Sequence, residues 1–217
     1  MGETDVTDGR VVRANRTRDN VVDALLALLD EGNLRPTARE IAERANVSLR
    51  SVYVHFDDVE QLFHAAALRH YERLKDVRSE LPTKGTLSER IVAFVDRRAR
   101  LYEVGQNVTH AAVLQEPFSP AMRSILDEAR KGGWAELDKV FGRDLKGKAR
   151  TRQRAALDVI TQPGAWRILR EQHGMSIDDA KAVMCDQLRA YFGVERAAPG
   201  VGSGRAAQAA DTTQTGG

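Results

Sequence analysis

The 217-residue chain is long enough to bury a full core, and short enough that one small domain joined to one larger helical domain exhausts it. Its 29% charged and 42% hydrophobic residues are ordinary globular values, and its longest unbroken apolar run, Ala24 to Leu29, falls far short of the roughly 18 residues that span a bilayer. A net charge of +2 does not announce a nucleic-acid partner, and one cysteine, Cys185, supplies neither a disulfide framework nor a cysteine-rich metal site, so no metal or cofactor is expected.

The N-terminus carries Glu3, Asp5 and Asp8 and no apolar segment of the kind a secretion signal needs, which predicts a cytoplasmic protein with no membrane partner. Residues 1–17 read as a flexible arm. Arg10, Arg13, Arg16 and Arg18 follow one another with no acid among them, a stretch that suits either solvent or phosphate.

Val22, Leu25, Leu26 and Leu29 recur at helical spacing and predict a short amphipathic helix ended by Gly32. Thr37-Ala38-Arg39-Glu40 is a capping box that opens a second helix. This helix ends near Asn46, which tolerates the left-handed conformation, and Ser48 offers a new N-cap for a third helix over Leu49–His55. Asp57-Asp58-Val59-Glu60 reads as a further capping box, opening a fourth helix to about Val77 with Leu62, Phe63, Ala66, Ala67, His70, Tyr71 and Leu74 on its apolar face.

Pro82 and Gly85 mark a loop, after which Thr86-Leu87-Ser88-Glu89 caps a helix bearing Ile91, Phe94, Val95, Arg98 and Tyr102 on one face. Ser119-Pro120 starts a helix toward Phe141 that Gly132-Gly133 is expected to kink or break. Helical pattern resumes over Lys148–His173 with an interruption at Pro163-Gly164, and Ser176 caps a last helix striped by Ile177, Ala180, Met184, Leu188 and Tyr191. Beyond Gly193 the composition turns to Ala, Gly, Gln and Thr, so residues 194–217 are expected to be a disordered tail. The fold class is all-α, with a three-helix unit over residues 18–56 and a larger helical domain over 57–193.

Two short helices joined by a tight turn, the second opened by Ser48, form a helix-turn-helix, whose second helix can enter a major groove. Ala42 is small where the helices approach, and Val47 and Val52 point back at the first helix. Arg50 has the planar fork that pairs with guanine O6 and N7. Ser48, Ser51, Tyr53 and His55 carry donors suited to phosphates or base edges, Leu49 lies among them, and Thr37 stands at a helix N-terminus. Thr37 and Ser48 also suit a purely capping role, and Tyr53 a packing one.

Thr37-Ala38-Arg39-Glu40-Ile41-Ala42-Glu43-Arg44-Ala45-Asn46-Val47-Ser48, then Ser51-Val52-Tyr53-Val54-His55-Phe56 and Glu60-Gln61-Leu62-Phe63, closely resembles the N-terminal domain of TetR-family repressors over roughly Arg18–Leu68. Two positions depart from that pattern. Asn46 replaces the usual turn glycine, and Val59 stands where a phosphate-binding lysine commonly opens the fourth helix, with Arg50 as a candidate replacement contact. The resemblance implies a DNA-binding homodimer on a palindromic or near-palindromic operator. The last two helices, about Lys148–His173 and Ser176–Phe192, would pair with their copies, and a small, largely apolar effector would release the DNA. Phe94, Arg98, Tyr102, His110, Trp134 and Trp166 are the candidate effector-pocket residues.

Two other functions compete with this one. An enzyme is disfavoured, because His55, His64, His70, His110 and His173 lack metal-ligand spacing and no nucleophile elbow or phosphate loop occurs. A helical protein-interaction module with a degenerate DNA-binding domain is the alternative, to which Val59 lends weight.

Overall fold

The computed structural model describes residues 4–194, and the regular structure among them is helical. Helices α1 (Thr4–Asp30), α2 (Ala38–Arg44) and α3 (Leu49–His55) form the N-terminal unit. Next come α4 (Val59–Val77), α5 (Leu87–Gln115), α6 (Pro120–Phe141), α7 (Arg150–Thr161), the short α8 (Pro163–Arg167) and α9 (Ile177–Phe192). A π turn at Ile168–Gln172 follows α8. The tail expected to be disordered lies, beyond Val194, outside the described residues.

Local chemistry sets the N-terminal joints. The Glu40 amide donates to Thr37 Oγ1 at 3.3 Å while the Thr37 amide donates to Glu40 Oε2 at 2.7 Å, closing the capping box of α2. Asn46 has φ 53°, the one positive value at a non-glycine among the described residues, and the reversal it makes lets the Val47 amide donate to the Ala42 carbonyl at 3.0 Å. Ser48 Oγ then caps α3 by accepting from the Ser51 amide at 3.0 Å.

At α4 the cap differs from the sequence expectation. Asp58, not Asp57, accepts from the Gln61 amide at 2.7 Å, and Asp57 takes the Gln61 side-chain amide at 3.0 Å. The chain stays extended through Asp58 before turning helical at Val59, which shifts the cap by one residue and frees Glu60 for another partner.

Apolar burial falls into two clusters. The first joins Val21, Leu25, Leu26 and Leu29 of α1 to Ile41, Val52, Phe56, Leu62, Phe63 and Ala66, and reaches Val108, Ala111 and Ala112 of α5 and Met122 of α6. The second packs Phe94, Tyr102, Phe141, Leu157, Trp166, Met184 and Leu188 between α5, α6, α7, α8 and α9. Because α5 serves both clusters, displacement of α5 in the second is felt in the first.

Three expectations are corrected. Helix α1 begins at Thr4, so most of the arm expected to be flexible is helical. Residues 11–20 contain no proline or glycine and carry the helix outward. Their exposed side chains pack on little, so that stretch has no core-facing stripe to betray it. Helix α6 runs unbroken through Gly132-Gly133, because residues on both sides of the pair pack into the core and the Gly133 carbonyl accepts from Arg98 Nη2 at 3.2 Å. The α9 stripe expected to form a seam between subunits is interior over its middle, where Ala180, Met184 and Leu188 are fully buried within one chain against α5 and α7, while Ile177 and Tyr191 at its two ends are exposed.

Candidate nucleic-acid interface and sensor cavity

Helix α3 has two unlike faces. Val52 and Phe56 are buried in the first cluster, whereas Leu49, Arg50, Tyr53 and Val54 are exposed, Tyr53 at 50% and Val54 at 70%. Positions 50, 53 and 54 follow the i, i+3, i+4 spacing of a single helix face. No carboxylate occurs within Leu49–His55, and Arg50 has no ion-pair partner among the described residues.

Some candidate contacts are already engaged within the fold. Thr37 Oγ1 donates to Glu40 Oε2 at 2.7 Å, and that bond together with the Thr37 amide holds the Glu40 carboxyl below its ordinary range. Ser48 and Ser51 hydroxyls lie 2.9 Å apart, and His55 is half-buried at the end of α3. Val59 packs half-buried against the first cluster, so its side chain is a core contact.

The helix-turn-helix region is acidic overall. Over residues 18–66 five arginines stand against nine carboxylates. Several of the acids have partners of their own: Asp19 and Asp23 pair with Arg69, Asp30 with Arg73, and Glu31 with Arg44, while Ser119 Oγ, at the cap of α6, donates to Glu60. Arg35 and Arg39 are exposed and, like Arg50, have no ion-pair partner among the described residues.

The candidate pocket residues divide. Tyr102, His110 and Trp166 line a cavity of about 90 Å³ between α5 and α8, together with Gly105, Gln106, Thr109 and Arg167. The Tyr102 hydroxyl donates to the Thr161 carbonyl, and Trp166 Nε1 donates to Glu103 Oε1 at 2.8 Å, which fixes both rings. His110 Nδ1 lies 3.4 Å from Arg167 Nη1, and burial, with the Arg167 charge second, holds the imidazole below its ordinary range.

Phe94, Arg98 and Trp134 sit elsewhere. Phe94 is core, edge-on to Phe141 at 5.2 Å. Arg98 finds its partner inside the protein, 3.3 Å from Glu136, with its guanidinium over the Phe94 ring. Trp134 is partly exposed, and its Nε1 donates to Asp158 Oδ2 at 3.0 Å.

Sequence reasoning missed two positions of consequence, Val54 and Asn107, and the close packing around a third, His70. Val54 lies one helical turn beyond Arg50, a spacing that was available as a signal. Asn107 Nδ2 donates to the Asp30 carbonyl at 3.0 Å, tying α5 to the end of α1. His70 of α4 is buried against Gly105, so closely that a Cβ there would lie 2.6 Å from His70 Nε2. No local pattern announces Asn107, whereas the helical period already placed His70 on the apolar face of α4 and left only its neighbour Gly105 unseen.

Residues 21–66 match the family model for bacterial regulatory proteins of the tetR family. No curated protein matches the chain in sequence. In fold it is similar to a transcriptional regulator from Rhodococcus sp. Rha1, with TM-score 0.60 at 20% identity, over 81% of this chain and 96% of that one. It is also similar to a protein assigned to the TetR family of transcriptional regulators from Mesorhizobium loti MAFF303099, with TM-score 0.59 at 16% identity, over 83% and 97% of the two chains. No helix among the described residues is long and apolar enough to cross a membrane. The N-terminal match in sequence and the likeness in fold along most of the chain point the same way: residues 21–66 are similar to the N-terminal domain of bacterial regulatory proteins of the tetR family, and the chain shares the helical fold of these two regulators.

Proposed function

We propose that the protein is a homodimeric repressor that leaves a two-fold symmetric operator when a small, largely apolar effector enters between α5 and α8. The observation that carries this reading is the exposed face of α3, where Arg50, Tyr53 and Val54 project while Val52 and Phe56 anchor the helix from behind. Arg50 reads guanine, Tyr53 contacts phosphate or a base edge, and Arg35 and Arg39 supply the phosphate charge that Val59 lacks. Thr37, Ser48 and Ser51 hold the backbone of the motif and meet phosphate as secondary contacts. The DNA-binding unit spans 18–56 and the sensing and pairing domain 57–193.

The α5 to α8 cavity is the effector's entry point. At about 90 Å³ it is smaller than the roughly 300 Å³ of even a small ligand pocket. An effector therefore widens it by displacing α5 or α8, and that displacement is the signal. Two contacts carry it onward: Asn107 to the end of α1, and Ser119 of α6 to Glu60 at the start of α4. Pairing uses faces of α7 and α9 left outside the core, where Ala155, Val159, Gln187 and Ala190 are exposed.

Fluorescence anisotropy on an operator recovered by selection tests the reading. A protein making 6–10 phosphate contacts loses about 10³ to 10⁵ in affinity between 50 and 200 mM salt. Arg50→Ala is expected to weaken operator binding by roughly 5- to 150-fold, the equivalent of about 1–3 kcal/mol, with little change on unrelated duplex. Binding insensitive to salt, or an unaltered affinity in Arg50→Ala, would contradict the assignment. The first outcome would favour a protein-interaction module.

A further inference from the structure

Val54 is the most exposed large apolar side chain on α3, at 70%, and its isopropyl group neither donates nor accepts a hydrogen bond. It shares a face with Arg50 and Tyr53 on a helix that carries no carboxylate. Phosphate and the polar base edges offer it nothing. The one apolar feature of the major-groove floor is the C5-methyl of thymine.

Resting on the DNA-binding reading above, we propose that Val54 is a specificity-determining residue that packs on a thymine methyl in each half-site. Arg50 and Val54 stand one turn apart, about 6 Å along the helix axis. Base pairs step by about 3.4 Å. The thymine therefore lies within about two base pairs of the guanine that Arg50 reads. Contact between two apolar groups tells thymine from cytosine without a hydrogen bond, so α3 reads a short word by two unlike chemistries.

The test uses the full-length protein and its selected operator, with each thymine replaced singly by deoxyuridine, which removes the methyl group and leaves the pairing edge intact. Wild type is expected to lose about fourfold at one thymine position per half-site, and about fifteenfold when both half-sites are altered, the value of about one buried methylene at each. Val54→Ala is expected to bind the thymine operator more weakly and to be indifferent to deoxyuridine at that position. Its side chain is solvent-facing, so the variant keeps its fold. A deoxyuridine scan with no sensitive position, or a sensitive position equally strong in Val54→Ala, would overturn the proposal while leaving operator binding intact. Failure to bind any selected duplex would instead overturn the reading on which it rests.

Discussion

Replacing Asp144 by alanine is expected to cost about 3–5 kcal/mol of stability, because it strands a buried charge. The side chain of Arg90 on α5 is only 2% exposed, and Asp144 receives it bidentately at 2.8 and 3.0 Å. The Val140 carbonyl takes a further hydrogen bond from the same guanidinium. With Asp144 gone, a guanidinium between α5 and the end of α6 keeps its desolvation cost and loses its compensating anion. Urea unfolding at fixed protein concentration measures the loss, which corresponds to a fall in melting temperature of roughly 10 °C. Asp127→Ala, which removes a partner of the more exposed Arg130, is expected to cost under about 1 kcal/mol. Equal effects of the two substitutions would show that the Arg90 pair is not the buried joint described here.

Acid is expected to destabilise the fold through His70. Burial between α4 and α5, with Arg73 nearby as the lesser cause, lowers its imidazole from the ordinary 6.5 to about 4. Its Nε2 has no hydrogen-bond partner, and Gly105 leaves the ring just enough room to lie against the α5 backbone. As pH falls through 6.5 the unfolded chain takes up a proton at this side chain, while the folded chain resists until about 4. Between those values the unfolded state binds more protons, so stability present above pH 6.5 is progressively lost. The loss reaches about 2 kcal/mol at pH 5 and about 3 kcal/mol by pH 4. Unfolding free energies of wild type and His70→Leu across pH 7.5 to 4 check this. The variant's profile should be flatter by those amounts, and parallel profiles would remove His70 as the cause.

The parts of the fold that were legible in the sequence are those fixed by local chemistry. The Thr37 capping box, the left-handed Asn46 and the Ser48 cap each depend on residues within a few positions of one another, and they define α2, the turn and α3. What escaped depends on distant partners. Gly132-Gly133 looked like a break because the packing that holds α6 straight through them comes from other helices. The Ala180, Met184 and Leu188 stripe signals burial, and periodicity cannot say whether the covering surface belongs to the same chain or to its copy.

The same division runs through the candidate sites. Arg98 was singled out as a polar residue on an apolar face in need of a partner, and the structure supplies one in Glu136, some 38 positions further along the chain. His110 lines the α5 to α8 cavity together with Tyr102 and Trp166, while Phe94 and Arg98, on the same predicted face as Tyr102, do not, because the cavity's other wall is a distant helix that periodicity cannot place. Val54 was passed over although it shares the spacing of Arg50 and Tyr53, because its exposure depends on how α3 packs and residue type does not reveal it.

Selection of bound fragments from random duplex DNA by the purified protein puts the exposed face of α3 to the plainest test. Enrichment is expected for a two-fold symmetric sequence with half-site centres about 34 Å apart or a multiple of that distance, each containing a guanine whose enrichment disappears in Arg50→Ala. Recovery of no common sequence, or of one whose preferences are unchanged when Arg50 is removed, would contradict the role assigned to that face.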